Sequence, residues 1–477
     1  MGRLSPVARP TLEPSFRIGK QDLIFTVGSC FARNIEKQLI IEGYGVAVSR
    51  FRPPSEPGAE TDRDLMLNRY VPQSIANELA WAFGDRPFPE ASYYQELEGW
   101  RDLQLHLGAP AAPIETVKER RAALAEYMRL AAEAGVFIMT VGLAEAWFDL
   151  ATGLYLNAAP PARARKLFPD RFQFHLLGHE EILAGLEQIH DLLSRYGRSD
   201  LRILVTVSPV ALSTTFTGRD VLVANSYMKS ALRTAVEAFA MGRENIDYLP
   251  SYESIVLSDR RRAWREDQAH VADEMVRVNV LRMLASYAEE AAGPDAELAV
   301  LEAYGLLHEG QEAAKWKRGN RALELHRAAA ASAPTDPMVL LEVGRFLIGA
   351  KRWTEALPIV RASLDAGSAD YGGWYCLAKI HYRRREFRQA SSALAEARGF
   401  EPTSTPALRL SFEAALKLGR KSDAILFADE YCRREPHDAA MHRKLDGLRS
   451  ARGLSWSRLG AARRRQASRR DDAHAQG

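Results

Sequence analysis

The stretch IFTVGSCFARNIEKQLI, residues 24–40, is an apolar run that breaks at Gly28 and resumes with helical spacing at Ile35, Leu39 and Ile40. A strand followed at once by a glycine and a helix start places the next residue at the carboxyl edge of a sheet, where open α/β domains bind ligands. Gly28 permits the tight turn. The helix behind it turns unpaired backbone N–H groups and its positive dipole end toward the same place. Ser29 is then set to attack an acyl carbonyl, with the helix start stabilising the oxyanion that forms. A serine before a helix also has the plainer task of accepting a backbone N–H as an N-cap. Cys30 is a second candidate nucleophile, because a thiol at a helix N-terminus has a lowered pKa, though cysteine also packs as a small apolar residue. Within this stretch cap and nucleophile stay open.

Working outward, LIFTV (23–27), VFIMTV (136–141), RILVTV (202–207) and IDYLP (246–250) are short, β-branched and bounded by Gly or Pro. Such runs suit strands covered on both faces, with crossover helices such as EEILAGLEQIHDLLSRY (180–196) between them. GVAVS from Gly45 reads as a further strand, and the whole as a doubly wound α/β domain over residues 22–292. Between Phe51 and Gly135 the alternation lapses, and SIANELAWAF and ETVKERRAALAEYMRLAAEA read as helices.

After Gly293-Pro294 every segment reads as helix. Ala322, Ala356, Ala390 and Ala424 recur 34 residues apart, and Pro334, Pro402 and Pro436 share one register. This period, with a small residue where paired helices touch and a proline closing the unit, resembles the tetratricopeptide repeat. Gly344 and Ala378 fill the small first-helix position of that repeat, whereas Phe412 departs from it and Ser368 replaces a closing proline. The resemblance implies an all-α tetratricopeptide-like solenoid over residues 297–450, with residues 451–477 a basic, disordered tail.

Composition narrows the function classes. A length of 477 residues calls for two domains or more, and a net charge of +3 with 47% hydrophobic residues is ordinary for a globular chain. The basic runs, Arg260–Arg262, Arg383–Arg385 and RRRQASRR near the C-terminus, lack interleaved aromatics, so they read as solvated faces rather than a nucleic-acid site. Three scattered cysteines, Cys30, Cys376 and Cys432, make neither a disulfide framework nor a metal site. No run approaches the ~20 apolar residues of a membrane helix. A cytoplasmic protein without membrane insertion is the expectation. His175, His179 and His190 carry no HExxH or facial carboxylate set, so no metal and no cofactor is expected.

A serine nucleophile needs a base. In EDQAHVADEM, beyond the last strand, Asp267 and His270 lie three apart before an amphipathic helix, so that the carboxylate can orient the imidazole. The plain reading is again capping by Asp267 and a surface His270. GSCFA at 28–32, TVGLAEAWFD from Thr140, LNAAPP from Leu156, TVSPVALSTTFTGRDVLVANSYMKSALRTAVE from Thr206, YLPSYE from Tyr248 and DQAH at 267–270 together resemble the GSCFA family. That family is related to the SGNH or GDSL-like hydrolases, and the likeness covers about residues 22–290.

The resemblance implies a flavodoxin-like three-layer sandwich with a parallel sheet and a Ser-His-Asp site. Ser29 matches its nucleophile, His270 its base and Asp267 its carboxylate. It also implies oxyanion donors for which Gly142, Asn68 and Asn157 are the candidates, although the sequence lacks a plain GxND block. Lys229 and Arg233, four apart on one helical face, either steer an anionic substrate or are exposed charges beside a core-facing Leu232. Trp147, Phe148, Tyr248 and Tyr252 read as core, with Trp147 placed to line a pocket. The expectation is a serine esterase or acyltransferase acting on a small-molecule or glycan ester, with repeats for a protein partner. The alternative is an inactive scaffold protein that uses the repeats alone.

Overall fold

The computed structural model describes residues 4, 7–54, 66–105, 109–289, 295–367 and 370–450. Ser368, the Gly293-Pro294 junction and the 451–477 tail lie outside the described residues. The chain divides into two compact units, Met1–Leu301 and Glu302–Gly477.

The first unit begins β1 (Leu23–Gly28), α1 (Cys30–Ile41), β2 (Gly45–Val46), α2 (Pro72–Phe83), the β3–β4 hairpin (Tyr93–Glu96 and Gly99–Asp102) and α3 (Ile114–Arg129). It continues with β5 (Val136–Val141), β6 (Glu145–Asp149), β7 (Leu154–Tyr155), α4 (Ala162–Leu167), β8 (Phe172–Leu176) and α5 (His179–Tyr196). Then come β9 (Arg202–Val207), α6 (Val221–Ala240), β10 (Ile246–Tyr248), α7 (Ser251–Val256), α8 (Arg260–Ala263) and α9 (Asp273–Tyr287).

Five of these strands form one parallel sheet in the order β10-β9-β5-β1-β2. Every residue of β5 is buried, as is all of β1 beyond Leu23, which is why both read as unbroken apolar runs. Chain order reverses between β1 and β5, where Gly28 pairs with Thr140. That switch point opens a crevice at the carboxyl edge. β2 is shorter than GVAVS suggests: pairing stops after Val46 and Ala47–Arg50 wind into a 3-10 turn. Two antiparallel additions, β3–β4 and β7-β6-β8, were not apparent in the sequence.

The helical unit takes up most of α10 (Asp295–Lys315), then α11 (Gly319–Ser332), α12 (Pro337–Gly349), α13 (Trp353–Asp365), α14 (Tyr371–Arg383), α15 (Phe387–Phe400), α16 (Thr405–Lys417), α17 (Lys421–Arg434) and α18 (Ala439–Ser450). Helix starts repeat at 34 residues in both series, 319, 353, 387, 421 and 337, 371, 405, 439. The turn inside each pair repeats too, with Lys317, Lys351, Arg385 and Gly419 all at positive φ. Ala322, Ala356, Ala390 and Ala424 are fully buried. A Cβ on Gly344 would meet Val360 Cγ2 at 2.5 Å, and one on Gly310 would meet His326 at 2.6 Å, so small residues set the closeness of paired helices. Gly310, 34 residues before Gly344, extends the first-helix register to the unit that holds Ala322. Phe412, where that position is filled, is buried with Met441 and Leu445 of the closing helix.

Candidate active site

Gly28 is fixed by two independent constraints. Its φ is +144°, and a Cβ would sit 2.4 Å from the Thr140 carbonyl oxygen. Only glycine lets β1 end this close to β5. Ser29 follows in extended conformation as the N-cap of α1. Its Oγ accepts from Phe31 N–H at 3.4 Å and donates to Ser208 Oγ at 3.3 Å. Both are long for hydroxyl hydrogen bonds, so the cap is loose and the oxygen is not committed to it. Ser29 is 5% exposed.

Two carboxyl-edge turns lie beside Ser29, and the Asn68 segment is bridged to Gly28. Ser208 follows β9, and its N–H bonds the Val141 carbonyl. Gly142 follows β5, and the Cβ it lacks would lie 3.6 Å from Ser208 Cβ and 3.8 Å from Ser29 Cβ. Asn68 bridges Gly28, with Arg69 N–H bonding the Gly28 carbonyl at 2.8 Å. Asn68 Oδ1 is buried without a hydrogen-bond partner among the described residues. The other side of its amide meets Tyr70, whose phenol is pushed up to about 12 by burial and then by the neighbouring Cys30, the Asn68 bond acting in the opposite sense.

Two of the three oxyanion candidates are engaged in the fold. Gly142 donates its N–H to the Tyr70 carbonyl at 3.1 Å. Asn157 accepts from Tyr70 N–H and Ser74 Oγ at 3.1 Å each and donates to the Asn68 carbonyl at 2.9 Å. With both ends of its amide used, Asn157 is a strut that holds the Asn68–Tyr70 segment in place. Beneath that segment Arg69 and Arg121 share Glu78 at 2.9 and 2.5 Å, and Arg121 also pairs with Asp102 at 2.6 Å, all buried. A second buried pair, Arg33–Glu36 at 2.7 Å, meets Thr26 of β1, so the first turn of α1 is held to its strand.

Lys229 is not the exposed charge that its sequence neighbours suggest. It is 2% exposed, donates to the Gly142 carbonyl at 3.0 Å, and has no carboxylate partner among the described residues. Burial pulls its ammonium down to about 7, with Cys30 acting in the opposite direction. Arg233 is held by Glu253 and Glu237 and covers the Tyr248 ring at 3.8 Å. Spacing gives the signal for Lys229, which lies three and seven residues before the buried Leu232 and Val236. Ser208 has the signal of its place directly after the RILVTV strand, on the carboxyl edge, whereas for Tyr70 no local pattern does.

His270 and Asp267 stand on the connection between β10 and α9. His270 Nδ1 bonds Asp267 Oδ2 at 2.6 Å, while Asp267 Oδ1 accepts the N–H groups of His270 and Ala269 at 2.9 and 3.0 Å. The backbone bonds to His270 and Ala269, then the ring bond, hold the Asp267 carboxyl well below the usual carboxylate range. Gln268 between them has φ +58°, and Arg260 clasps its side chain and carbonyl. The pair is half exposed, at 55% for the His270 side chain and 49% for Asp267. No hydrogen bond joins His270 to Ser29, and Nε2 of His270 has no partner among the described residues.

The histidines in the middle of the domain are structural. His175 bonds the Tyr155 hydroxyl and stacks on Phe148, and His190 packs edge-on to Phe239. No His, Cys, Asp and Glu group among the described residues could hold a metal ion. Trp147 lies against Phe174 and Phe216, with Arg165 over its ring. No helix among the described residues is long and apolar enough to cross a membrane.

A five-stranded parallel sheet flanked by helices, with a serine on the turn at its switch point and an Asp-His pair after its last strand, makes this unit a doubly wound α/β domain. The chain belongs to the GSCFA family, whose model matches residues 23–282. No curated protein matches it. Solved structures similar to it include a MamA fragment from Desulfovibrio magneticus RS-1, at 16% identity and TM-score 0.30, covering 38% of this chain and 98% of that one. YrrB, described as a TPR protein with an unusual peptide-binding site, is similar at 14% identity and TM-score 0.30, covering 35% and 87%. PilW, a type IV pilus biogenesis factor, is similar at 19% identity and TM-score 0.29, covering 35% and 77%.

Proposed function

We propose that the α/β unit is a serine esterase or acyltransferase working through an acyl-enzyme on Ser29, and that the helical repeats bind a protein partner. His270 takes the Oγ proton as Ser29 attacks the acyl carbonyl, and Asp267 holds the imidazole and stabilises its charged form. The N–H groups at the start of α1 stabilise the developing oxyanion, and the Asn68 Nδ2–H that Tyr70 leaves over is the side-chain donor. The tetrahedral intermediate collapses with loss of the alkoxide, to which His270 returns the proton, releasing the alcohol. Water, or the hydroxyl of an acceptor, then takes the acyl group with His270 again as base, so hydrolysis and transfer share one site. O-acylated carbohydrate is the substrate class we favour, by analogy with related hydrolases.

The observation that carries this reading is the loosely bonded Ser29 hydroxyl on a glycine turn at the switch point, with Ser208 bonded to it and Asn68 bridged to Gly28. Catalysis then requires the 264–272 connection to bring Nε2 to Ser29, a bond of the kind that tightens only with substrate bound. A fluorophosphonate probe tests the chemistry. Wild type and Cys30→Ala should be labelled and Ser29→Ala should not; absence of labelling on the folded wild type would sink the proposal. The second reading, a scaffold without catalysis, draws on the burial of Ser29 and its missing bond to His270. It predicts that no variant changes anything measurable in acyl chemistry.

A further inference from the structure

Two of the donors expected near Ser29 are spent on the fold, the Gly142 N–H on the Tyr70 carbonyl and the Asn157 amide on Tyr70, Ser74 and Asn68. Ser208 is not spent. It is 1% exposed, and its Oγ lies 3.3 Å from the Ser29 hydroxyl, whose hydrogen bond it accepts. A hydroxyl carries one donor besides its lone pairs, and the O–H of Ser208 meets no acceptor among the described residues. A buried donor left unpaired costs free energy, which is why most find a partner. Beside a nucleophile, such a donor gains its partner when negative charge develops there.

The backbone holds this hydroxyl in place. The Ser208 N–H bonds the Val141 carbonyl at 2.7 Å, directly beyond β9, and Pro209 behind it disfavours a helical backbone at Ser208. Gly142 leaves a notch beside it. The Cβ it lacks would lie 3.6 Å from Ser208 Cβ and 3.8 Å from both Ser29 Cβ and the Tyr70 carbonyl oxygen. Lys229 bonds the Gly142 carbonyl, and the Tyr70 carbonyl accepts the N–H groups of Gly142 and Leu143, so the turn that forms the notch is pinned on both sides. An acyl group on Ser29 thereby has room next to both hydroxyls.

We propose, on the reading of Ser29 as the nucleophile, that Ser208 is a further catalytic residue, donating its O–H to the oxyanion of the tetrahedral intermediate. As the Ser29 proton passes to His270 and Oγ bonds the acyl carbon, the carbonyl π pair moves onto oxygen. Ser208 no longer accepts from Ser29 and turns its own O–H to the new charge. No proton is transferred in this bond, which lapses when the electron pair returns and the alkoxide leaves. An oxyanion on the atom bonded to Oγ is within reach of a hydroxyl 3.3 Å from Oγ.

The test uses the full chain with p-nitrophenyl acetate as ester, trifluoroacetophenone, which forms a tetrahedral adduct with a nucleophilic serine, and acetophenone, which stays trigonal. Ser208→Ala should lower kcat/KM about 10²-fold or more and weaken the trifluoroketone by a similar factor, while acetophenone binds as before. Ser208→Thr, which restores the hydroxyl, should recover most of both. Gly142→Ala keeps both hydroxyls and places its methyl at ordinary contact distances, so it should fold, yet by filling the notch it should weaken the trifluoroketone about tenfold or more. Circular dichroism checks each variant, and Gly142→Ala decides where Ser208→Ala does not fold.

Unchanged trifluoroketone affinity in Ser208→Ala or in Gly142→Ala would overturn the proposal. So would an equal loss of acetophenone binding, which makes Ser208 a packing residue, or a loss of turnover without loss of trifluoroketone affinity. In each of these cases fluorophosphonate labelling of Ser29 leaves the reading of Ser29 as the nucleophile standing. Absence of labelling on the folded wild type overturns both.

Discussion

The two units bury different things. The α/β unit buries charge, in Arg33–Glu36, in Arg69, Glu78, Arg121 and Asp102, and in Lys229, which meets no carboxylate among the described residues. Where its helices meet, the helical unit buries alanines and glycines at a fixed interval. Buried charges tie the α/β loops together across distant positions: Arg121 reaches Asp102 and Glu78, and Asn157 holds Asn68 and Tyr70. The repeats instead apply one local rule again and again. A functional turn assembled from several loops needs specific polar struts, whereas a stack of helix pairs needs only close contact.

The largest expected effect lies at the assembled turn. In the proposed mechanism, Ser29→Ala and His270→Ala each lower acyl turnover by about 10³-fold or more, and combining them costs little beyond either alone, because the residues act as a unit. Ester kinetics on the purified variants measure this. Additive losses would separate His270 from the nucleophile and break the triad reading. A substitution in the helical unit that leaves it folded should leave these rates unchanged.

Next comes stability. Glu78→Gln leaves Arg69 buried against a neutral partner while Arg121 keeps Asp102, and should destabilise the α/β unit by about 3–5 kcal/mol in urea unfolding. Phe412→Ala removes a fully buried ring and should cost a similar 3–5 kcal/mol or so, but in the helical unit. Two separate transitions, each shifted by only one of these substitutions, would sharpen the contrast between the units. A single transition shifted by both would break it.

These cases show what the sequence could reveal. The 34-residue period was legible because each repeat fixes its own contacts, and the buried strands were legible because a doubly covered strand is apolar throughout. Ser29 stood out through Gly28 beside it, and Asp267 with His270 through a three-residue spacing that the fold realises as one tight turn. Asn157 as a strut, Tyr70 with both its backbone groups spent on the site, and the bond of Ser29 to Ser208 depend on contacts across 72 to 179 positions, which no local pattern encodes. Glu78 gave a fainter sign, an acid three residues after Ile75 and one before Leu79 on the buried face of α2.

Lys229 supplies a pH test confined to the α/β unit. Its folded pKa is about 7, below the ordinary lysine value. Between these two values the unfolded chain holds a proton that the folded chain has released, so this group makes stability rise with pH above about 7. Below that window both states are protonated and the cost of burying the ammonium is fully present. Lys229→Met should be more stable than wild type at pH 7, and that advantage should shrink by pH 9. An advantage independent of pH would mean that Lys229 titrates normally. The helical unit's transition should show no difference between the two proteins.

The smallest effect belongs to the repeat rule itself. Lys317, Lys351 and Arg385 occupy positive φ with a side chain, where Gly419 in the last equivalent turn has none. A non-glycine residue in that left-handed region costs roughly 1 kcal/mol, partly offset by the greater freedom glycine has in the unfolded chain. Lys317→Gly and Arg385→Gly should each raise the thermal midpoint of the helical unit slightly, and Gly419→Lys should lower it by a similar amount. Lys351 is left out because it lines a cleft with Trp353 and Arg383. Gains of equal size at 317 and 385 would show the turns to be interchangeable copies, a property that Gly28 cannot share, since its missing Cβ answers to Thr140 of another strand and not to a rule repeated along the chain.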